Sequence, residues 1–192
     1  RWPPNQFAEL AAMFLADGLQ VWVVGSPNDK IATDAVLNSM GENAHRVRDL
    51  SARTDLGTAI DLLSAASLAV SNDSGLMHAA AAVGVPLVAL FGSSSPVYTP
   101  PLSPLARIAR IDIACSPCFK RECPLGHFKC MRELKPPIVY NLARTTLPAF
   151  IPPEQAVGEI ERVSERSDVF GLGALLAVIL TGKPPYVGET AE

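Results

Sequence analysis

No apolar run in this chain reaches the roughly 20 residues that a membrane-spanning helix requires; the longest, Val169 to Leu180, is short and interrupted at Gly171 and Gly173. A helical transmembrane segment is excluded on that ground. A basic excess is also missing, since 16 Lys and Arg face 19 Asp and Glu for a formal charge of −3, with no local Lys/Arg cluster. Nucleic acid is therefore not an expected partner. The opening Arg1-Trp2-Pro3-Pro4 has neither an initiator Met nor a secretory h-region, so no targeting signal is read there, and the chain begins as though cut from a longer one. No internal repeat of fixed period occurs. With 192 residues, 48% hydrophobic content and 18% charge, disorder is not the default, and one good core or two small ones can be buried.

What is present alternates. Pro3 and Pro4 precede Phe7, Leu10, Ala11 and Phe14 at helical spacing, and Gly18 stands where a glycine closes a helix. Leu19 to Val24 is β-rich and ends in Gly25-Ser26-Pro27-Asn28-Asp29, ahead of a helical segment that runs to Met40 and breaks at Gly41. His45 to Leu50 reads as a strand, after which Thr54 or Asp55 can cap a helix carrying Leu56, Ile60 and Leu63 toward the core. Ser67 to Ser71, the Ala-rich Gly75 to Val83 and Val85 to Phe91 read strand, helix, strand, and Arg107 to Ile113 adds one more strand. The alternation predicts the α/β class with a doubly wound, Rossmann-like parallel sheet. The expected division is a domain over 1–134, a linker over 135–147 and a helical extension over 148–192.

In a parallel β-α-β unit the ligand edge lies where strands end and helices begin, because free backbone N–H groups and the positive end of the helix dipole meet there. Ser71-Asn72-Asp73-Ser74-Gly75-Leu76-Met77-His78 occupies such a junction. Asp73 or Ser74 can cap the helix, and Gly75 lets a phosphate approach the backbone. Caps of this kind occur throughout α/β proteins, so spacing alone does not separate a cap from a phosphate site. Two further Gly/Ser-rich loops, Gly25 to Asn28 and Gly92 to Pro96, fall at the same predicted edge. His78 either donates to a phosphate oxygen or packs against a neighbouring loop, and residue type favours packing. Asp73 reads as an orienting group, since a carboxylate facing a pyrophosphate is repelled without a cation.

The string SNDSGLMHAAAAVGVPLVALFGSSSP, followed by Thr99-Pro100-Pro101-Leu102-Ser103, resembles the donor-binding domain of the ADP-heptose:lipopolysaccharide heptosyltransferases, of the heptosyltransferase II kind. Arg1-Trp2-Pro3, Gly25-Ser26, Leu50-Ser51-Ala52-Arg53-Thr54 and Cys115-Ser116-Pro117-Cys118-Phe119 add to the likeness, which covers Arg1 to Leu134. The resemblance implies one half of a GT-B glycosyltransferase, whose two Rossmann-like domains face each other across a cleft. It implies that Asp73, Ser74 and Gly75 hold the diphosphate, with Met77, His78 and Gly92 close by, and that Gly25, Ser26 and Thr54 lie near the nucleoside. The implied partners are ADP-heptose or ADP and, for the intact family, the inner-core lipopolysaccharide acceptor, with no cofactor needed for transfer and a cytoplasmic location, peripheral at the inner membrane. The acceptor domain and its general base are not in this sequence, so no catalytic residue is assigned and the chain is expected to be inactive alone. The alternative is a non-catalytic nucleotide-binding or self-associating module.

Cys115, Cys118, Cys123 and Cys130 follow C-x2-C-x4-C-x6-C, with His127 in the last interval. Five soft ligands are enough for tetrahedral zinc, although a second C-x2-C pair is lacking. Metal, disulfides and reduced thiols all remain open; the cytosolic location that the resemblance implies disfavours disulfides. Any metal here would brace a loop.

The end of the chain has a different character. Pro148 to Ala156, Glu165 to Gly173 and Leu180 to Tyr186 resemble the end of the activation segment and the large C-lobe helix of bacterial serine/threonine protein kinases. That resemblance makes Glu154 and Asp168 structural residues. A Gly-rich nucleotide loop, a strand lysine and the HRD and DFG motifs are all missing, so kinase activity is excluded on parts. A fusion or assembly join is the expected origin. The run 169–180 cannot stay solvated, because each exposed Leu, Val or Ile costs roughly 1.5–3 kcal/mol, so the expectation is that it packs on the sheet as a terminal helix completing the first domain, packs on another chain by self-association, or aggregates.

Overall fold

The fold was read from a computed structural model, which describes residues 1–147. The chain divides into two units, Arg1–Thr146 and Leu147–Glu192. Glu154, Asp168 and the 169–180 run lie outside the described residues. In order, the first unit contains α1 (Pro4–Ala16), β1 (Val21–Val23), α2 (Lys30–Ser39), β2 (Val47–Asp49), α3 (Leu56–Ser64), β3 (Ala69–Asn72), α4 (Gly75–Ala82), β4 (Leu87–Leu90), β5 (Ala106–Ala109), α5 (Lys129–Arg132) and α6 (Pro136–Thr146). Short 3₁₀ turns at Pro27–Asp29 and Gly41–Arg46 join β1 to α2 and α2 to β2.

All strand pairs are parallel. β1 pairs with β2, Val21 opposite Val47, while β4 lies between β3 and β5, with Ala69, Leu87 and Ala106 in register. This is the expected α/β fold with parallel sheets, its hydrogen bonding divided between a two-stranded and a three-stranded part. Leu87, Val88, Ala89 and Leu90 are all 0% exposed, so β4 is covered on both faces, as a continuous apolar run in a parallel sheet requires. The period of two then sorts the core. Val88 and Leu90 meet Trp2, Leu10 and Phe14 beside Leu134, Val139 and Ala143, whereas Leu87, Ala89 and Phe91 meet Met77, Ala80 and Ala81 of α4. A third cluster packs Ala8, Ala11 and Leu15 of α1 against Met40 and Val47.

Local signals explain where helices begin and end. Pro4 opens α1, and Gly18 at φ 80° closes it in the left-handed region that glycine adopts without steric cost. Of the two candidate caps for α3, Asp55 is the one used: its Oδ1 accepts from the Thr58 amide at 2.7 Å. Leu56, expected to face inward, is 68% exposed, because at the first helical position the inner stripe falls instead on Ala59, with Ile60 and Leu63 half-buried.

The span 135–147, expected as a linker, is corrected by α6. Val139 and Ala143 are 0% exposed within the core, the Tyr140 hydroxyl donates to the Asp17 carboxylate at 2.8 Å, and Arg144 pairs with the same carboxylate at 2.9 Å. Pro136-Pro137 and scattered polar residues hide the helical period, since a Pro at the first turn is compatible with a helix while a Pro pair reads as a breaker. Among the described residues no helix is long and apolar enough to cross a membrane.

Candidate functional site

β3 ends at Asn72 and α4 starts at Gly75, leaving Asp73-Ser74 as the turn between them. Ser74 takes the N-cap position with extended backbone, φ −161° and ψ 170°, but its side chain does not cap the helix; its hydroxyl lies 3.2 Å from that of Ser71. The Ser74 carbonyl accepts from the Met77 and His78 amides at 3.1 and 3.3 Å. The amides of Gly75 and Leu76 have no hydrogen-bond partner among the described residues, and a Cβ placed on Gly75 would meet nothing within 4 Å. Two unpartnered donors thus stand at the positive end of α4 beside an unobstructed, exposed Gly75, a local requirement for holding an anion.

Neighbouring loops are tied to this turn. The Asp73 amide donates to the Leu90 carbonyl at 3.2 Å, fixing the turn to the end of β4, and the Asp73 carboxylate accepts from Thr99 Oγ1 at 3.2 Å. Thr99 in turn bonds Ser95, which draws the loop after β4 alongside. On the other side the Trp2 amide donates to Asn72 Oδ1 at 2.9 Å, and Arg1 pairs with Asp29 at 2.7 Å. The Ala52 amide donates to the Gly25 carbonyl at 2.9 Å. The loops after β1, β2, β3 and β4 therefore gather at one edge, where Asp73 holds Thr99.

The expected binding residues separate on inspection. Asp73 is half-buried, and Ser74, Gly75 and His78 are exposed at the edge; His78 is not packed as its residue type suggested, because it follows inward-facing Met77 by one position on α4. Met77 is 0% exposed and belongs to the core with Leu87 and Phe91, so its side chain is removed from ligand contact. Gly25 is buried, a Cβ placed there would meet Asp29 Cβ at 3.2 Å, and the amide and hydroxyl of Ser26 both donate to Asp29 Oδ2, at 3.1 and 2.7 Å. Those bonds hold the Asp29 carboxyl below the usual carboxylate range, the Ser26 hydroxyl contributing most. Thr54 is half-buried and does not cap α3, which Asp55 does.

Gly92 is a packing glycine. It is buried, a Cβ there would fall 2.9 Å from Met131 Cγ and Sδ, and its carbonyl accepts from Ser116 Oγ at 2.6 Å. Gly92→Ala is expected to lower stability by about 1–3 kcal/mol, as small-to-large changes in a packed interior do, while ligand binding at the α4 edge is retained; urea unfolding and a nucleotide titration of the same protein check both parts.

Sequence reasoning missed Asn72 and Thr99, which clamp the turn, and a polar group beneath the β1–β2 end. Ser51, 1% exposed, donates its hydroxyl to Asp49 Oδ1 and lies 3.0 Å from the Thr33 hydroxyl, while Lys30 ion-pairs with Asp34 and stands 3.5 Å from Asp49. Burial pushes the Asp49 carboxyl up, but the Ser51 hydroxyl and amide and Lys30 outweigh it and hold the group below its ordinary value. The available signal was a carboxylate ending a short strand just before Leu50-Ser51.

The four cysteines are free thiols, each half-buried, and they line one cleft together with His127. Cys115 Sγ lies 4.0 Å from His127 Nε2, and the Phe128 amide donates to Cys123 Sγ at 3.5 Å. The Phe128 amide, aided by neighbouring amides, brings the Cys123 thiol down, whereas burial and then the nearby thiols push Cys130 up. Among the described residues no group of three or more His, Cys, Asp or Glu side chains is already drawn together tightly enough to hold an ion.

Similarity to known proteins agrees with this geometry. The chain is 39% identical over 137 residues to lipopolysaccharide heptosyltransferase 2 of Escherichia coli, covering 71% of this chain and 39% of the enzyme. It is 39% identical over 140 residues to lipooligosaccharide heptosyltransferase 2 of Haemophilus ducreyi, covering 71% of this chain and 40% of that protein. The solved structure of E. coli ADP-heptose LPS heptosyltransferase II superposes with a TM-score of 0.68 at 36% identity, over 77% of this chain and 42% of that one. The chain thus spans about two fifths of the length of these relatives. A separate likeness, 51% identity over 41 residues, relates 21% of the chain to 6% of a serine/threonine-protein kinase of Mycolicibacterium smegmatis. Residues 1–129 match the family model for glycosyltransferase family 9 (heptosyltransferase), and the chain belongs to that family.

Proposed function

We propose that this chain is the nucleotide-sugar half of a heptosyltransferase II-type enzyme, which binds ADP-heptose through its diphosphate at the start of α4. The observation that carries this reading is the pair of unpartnered amides, Gly75 and Leu76, next to an unobstructed Gly75 Cα on the edge where four loops gather. A diphosphate supplies the acceptors those amides lack, and the helix dipole favours its charge. His78, exposed one turn along, would donate to a phosphate oxygen, while Asp73, which accepts from Thr99, would orient that loop. The loop after β1 and the 50–54 segment lie beside this edge, where a nucleoside would extend.

Transfer of the heptose to an inner-core acceptor needs a base to deprotonate the acceptor hydroxyl and a closed cleft around the departing diphosphate. This chain contributes the second requirement in part, and the base belongs to a facing domain. The isolated 192-residue polypeptide is expected to bind ADP weakly and to transfer no heptose. Calorimetric titration with ADP and a transfer assay with ADP-heptose and a heptose-deficient lipopolysaccharide acceptor test the two halves of the reading. Gly75→Val adds a branched side chain beside the free amides, at a position where a Cβ meets nothing within 4 Å, so it should cut ADP affinity at least about tenfold, or 1.4 kcal/mol, with an unchanged melting temperature. Asp73→Ala should weaken binding by releasing the Thr99 loop. Undiminished ADP affinity in Gly75→Val removes the diphosphate assignment, and sugar transfer by the chain alone removes the half-site assignment.

A further inference from the structure

We propose that Cys115, Cys118, Cys123 and Cys130 form a structural zinc site in which all four ligands are thiolates, with His127 outside the coordination shell as an N–H donor to the Cys115 sulfur. The first support is convergence: four free thiols from an irregular segment and from α5 line a single cleft. The second is the segment itself. Residues 110–128 join β5 to α5 without helix or strand, longer than the roughly 12–15 residues that unsupported loops reach in compact domains. Hydrogen bonds hold its first half, through Ser116 to the Gly92 carbonyl and the Phe119 amide to the Ser93 carbonyl at 2.7 Å. In the second half, Phe128 has a left-handed backbone at φ 51°, as does Gly126 at φ 67°, and the turn is secured chiefly by contacts to Cys123.

That turn is shaped around a sulfur. The Gly126 amide donates to the Cys123 carbonyl at 3.0 Å and closes the turn, and the Phe128 amide points at Cys123 Sγ, so a backbone donor faces the position that a metal-bound thiolate would occupy. The histidine's place follows from its other nitrogen. The Lys129 amide donates to His127 Nδ1 at 3.0 Å, which makes Nδ1 an acceptor and leaves the proton on Nε2 in the neutral ring. Nε2 is the atom facing Cys115 Sγ, so it presents an N–H to sulfur and no lone pair to a metal. Four thiolates on a dication carry a formal excess of two negative charges, and Lys120 and Arg121 line the same cleft to offset it.

Zinc bound there would lock the segment whose Ser116 and Phe119 brace Gly92 and Ser93 at the start of the loop after β4. The assignment does not depend on which nucleotide the α4 edge takes. The test is metal analysis and zinc-edge X-ray absorption on the full chain, purified without chelator, with thiol titration before and after metal extraction. About one zinc per chain with four sulfur neighbours at about 2.3 Å, and thiols unreactive until the metal is removed, is the expected result. His127→Ala should keep its zinc, and Cys118→Ser and Cys130→Ser should lose it. Metal-free protein with four reactive thiols, a mass showing disulfides, bound iron in place of zinc, or an imidazole neighbour in the absorption spectrum each overturns the proposal; the unsubstituted protein decides even if a cysteine variant fails to fold.

Discussion

Replacing Trp2 by Ala is expected to destabilise the Arg1–Thr146 unit by about 3–5 kcal/mol, the range for deleting a fully buried aromatic side chain. Trp2 is 2% exposed in the largest core cluster, its ring packs edge-on against Phe7 at 4.8 Å, and its indole N–H donates to the Leu134 carbonyl at 2.8 Å. Three losses coincide: apolar burial, the cavity left behind, and a buried carbonyl without its donor. Trp2→Phe separates them, since it keeps most of the packing and gives up the hydrogen bond, with an expected cost of about 1–3 kcal/mol. Urea unfolding followed by far-ultraviolet circular dichroism measures both variants. A loss for Trp2→Ala within about 0.5 kcal/mol of zero, as for an ordinary surface change, would mean that the residue is not a core anchor. Because the Trp2 amide also holds Asn72 at the end of β3, the same position links the core to the nucleotide edge.

How much of this was legible in the sequence depends on whether local pattern or long-range contact decides the outcome. Each of the five strands overlaps a β-rich run read from composition, although β3 runs on to Asn72 and β5 starts at Ala106 and stops at Ala109, and β4 could be placed because a strand covered on both faces is apolar at every position. The division of hydrogen bonding into two sheets could not, since it depends on how closely β1 approaches β3 and not on either strand's own residues. At the candidate site, Asp73, Ser74 and Gly75 could be placed between β3 and α4 because a strand-to-helix turn has a composition of its own. Met77 and Gly92 were grouped with them by proximity in sequence, although one turn of helix carries Met77 into the core and Met131, remote in sequence, closes over Gly92. Thr99 and Asn72 escaped for the converse reason: their partners, Asp73 and Trp2, lie far along the chain.

The second large effect concerns where the unit ends. A chain cut after Leu147 is expected to unfold cooperatively as one unit, while a chain cut after Leu134 is expected not to fold. Removing α6 strips Val139 and Ala143 from the face of β4 and β5 and uncovers Phe14, Val88 and Leu90, with Leu134 left at a free end. At roughly 1.5–3 kcal/mol per large apolar side chain returned to water, the deficit is of the same order as the entire net stability of about 5–15 kcal/mol for a domain. The tie from Tyr140 and Arg144 to Asp17 disappears with it, removing what pins α6 to the end of α1. Polar scatter in the sequence of α6 does not weaken this, because a helix buried along one narrow stripe needs only the Pro136, Val139 and Ala143 positions to be apolar. Thermal melts by circular dichroism, with size-exclusion chromatography to detect aggregation, compare the two chains directly. Equal melting temperatures would return 135–147 to the status of a linker; loss of the cooperative transition in the shorter chain places α6 inside the folding unit on which the nucleotide edge depends.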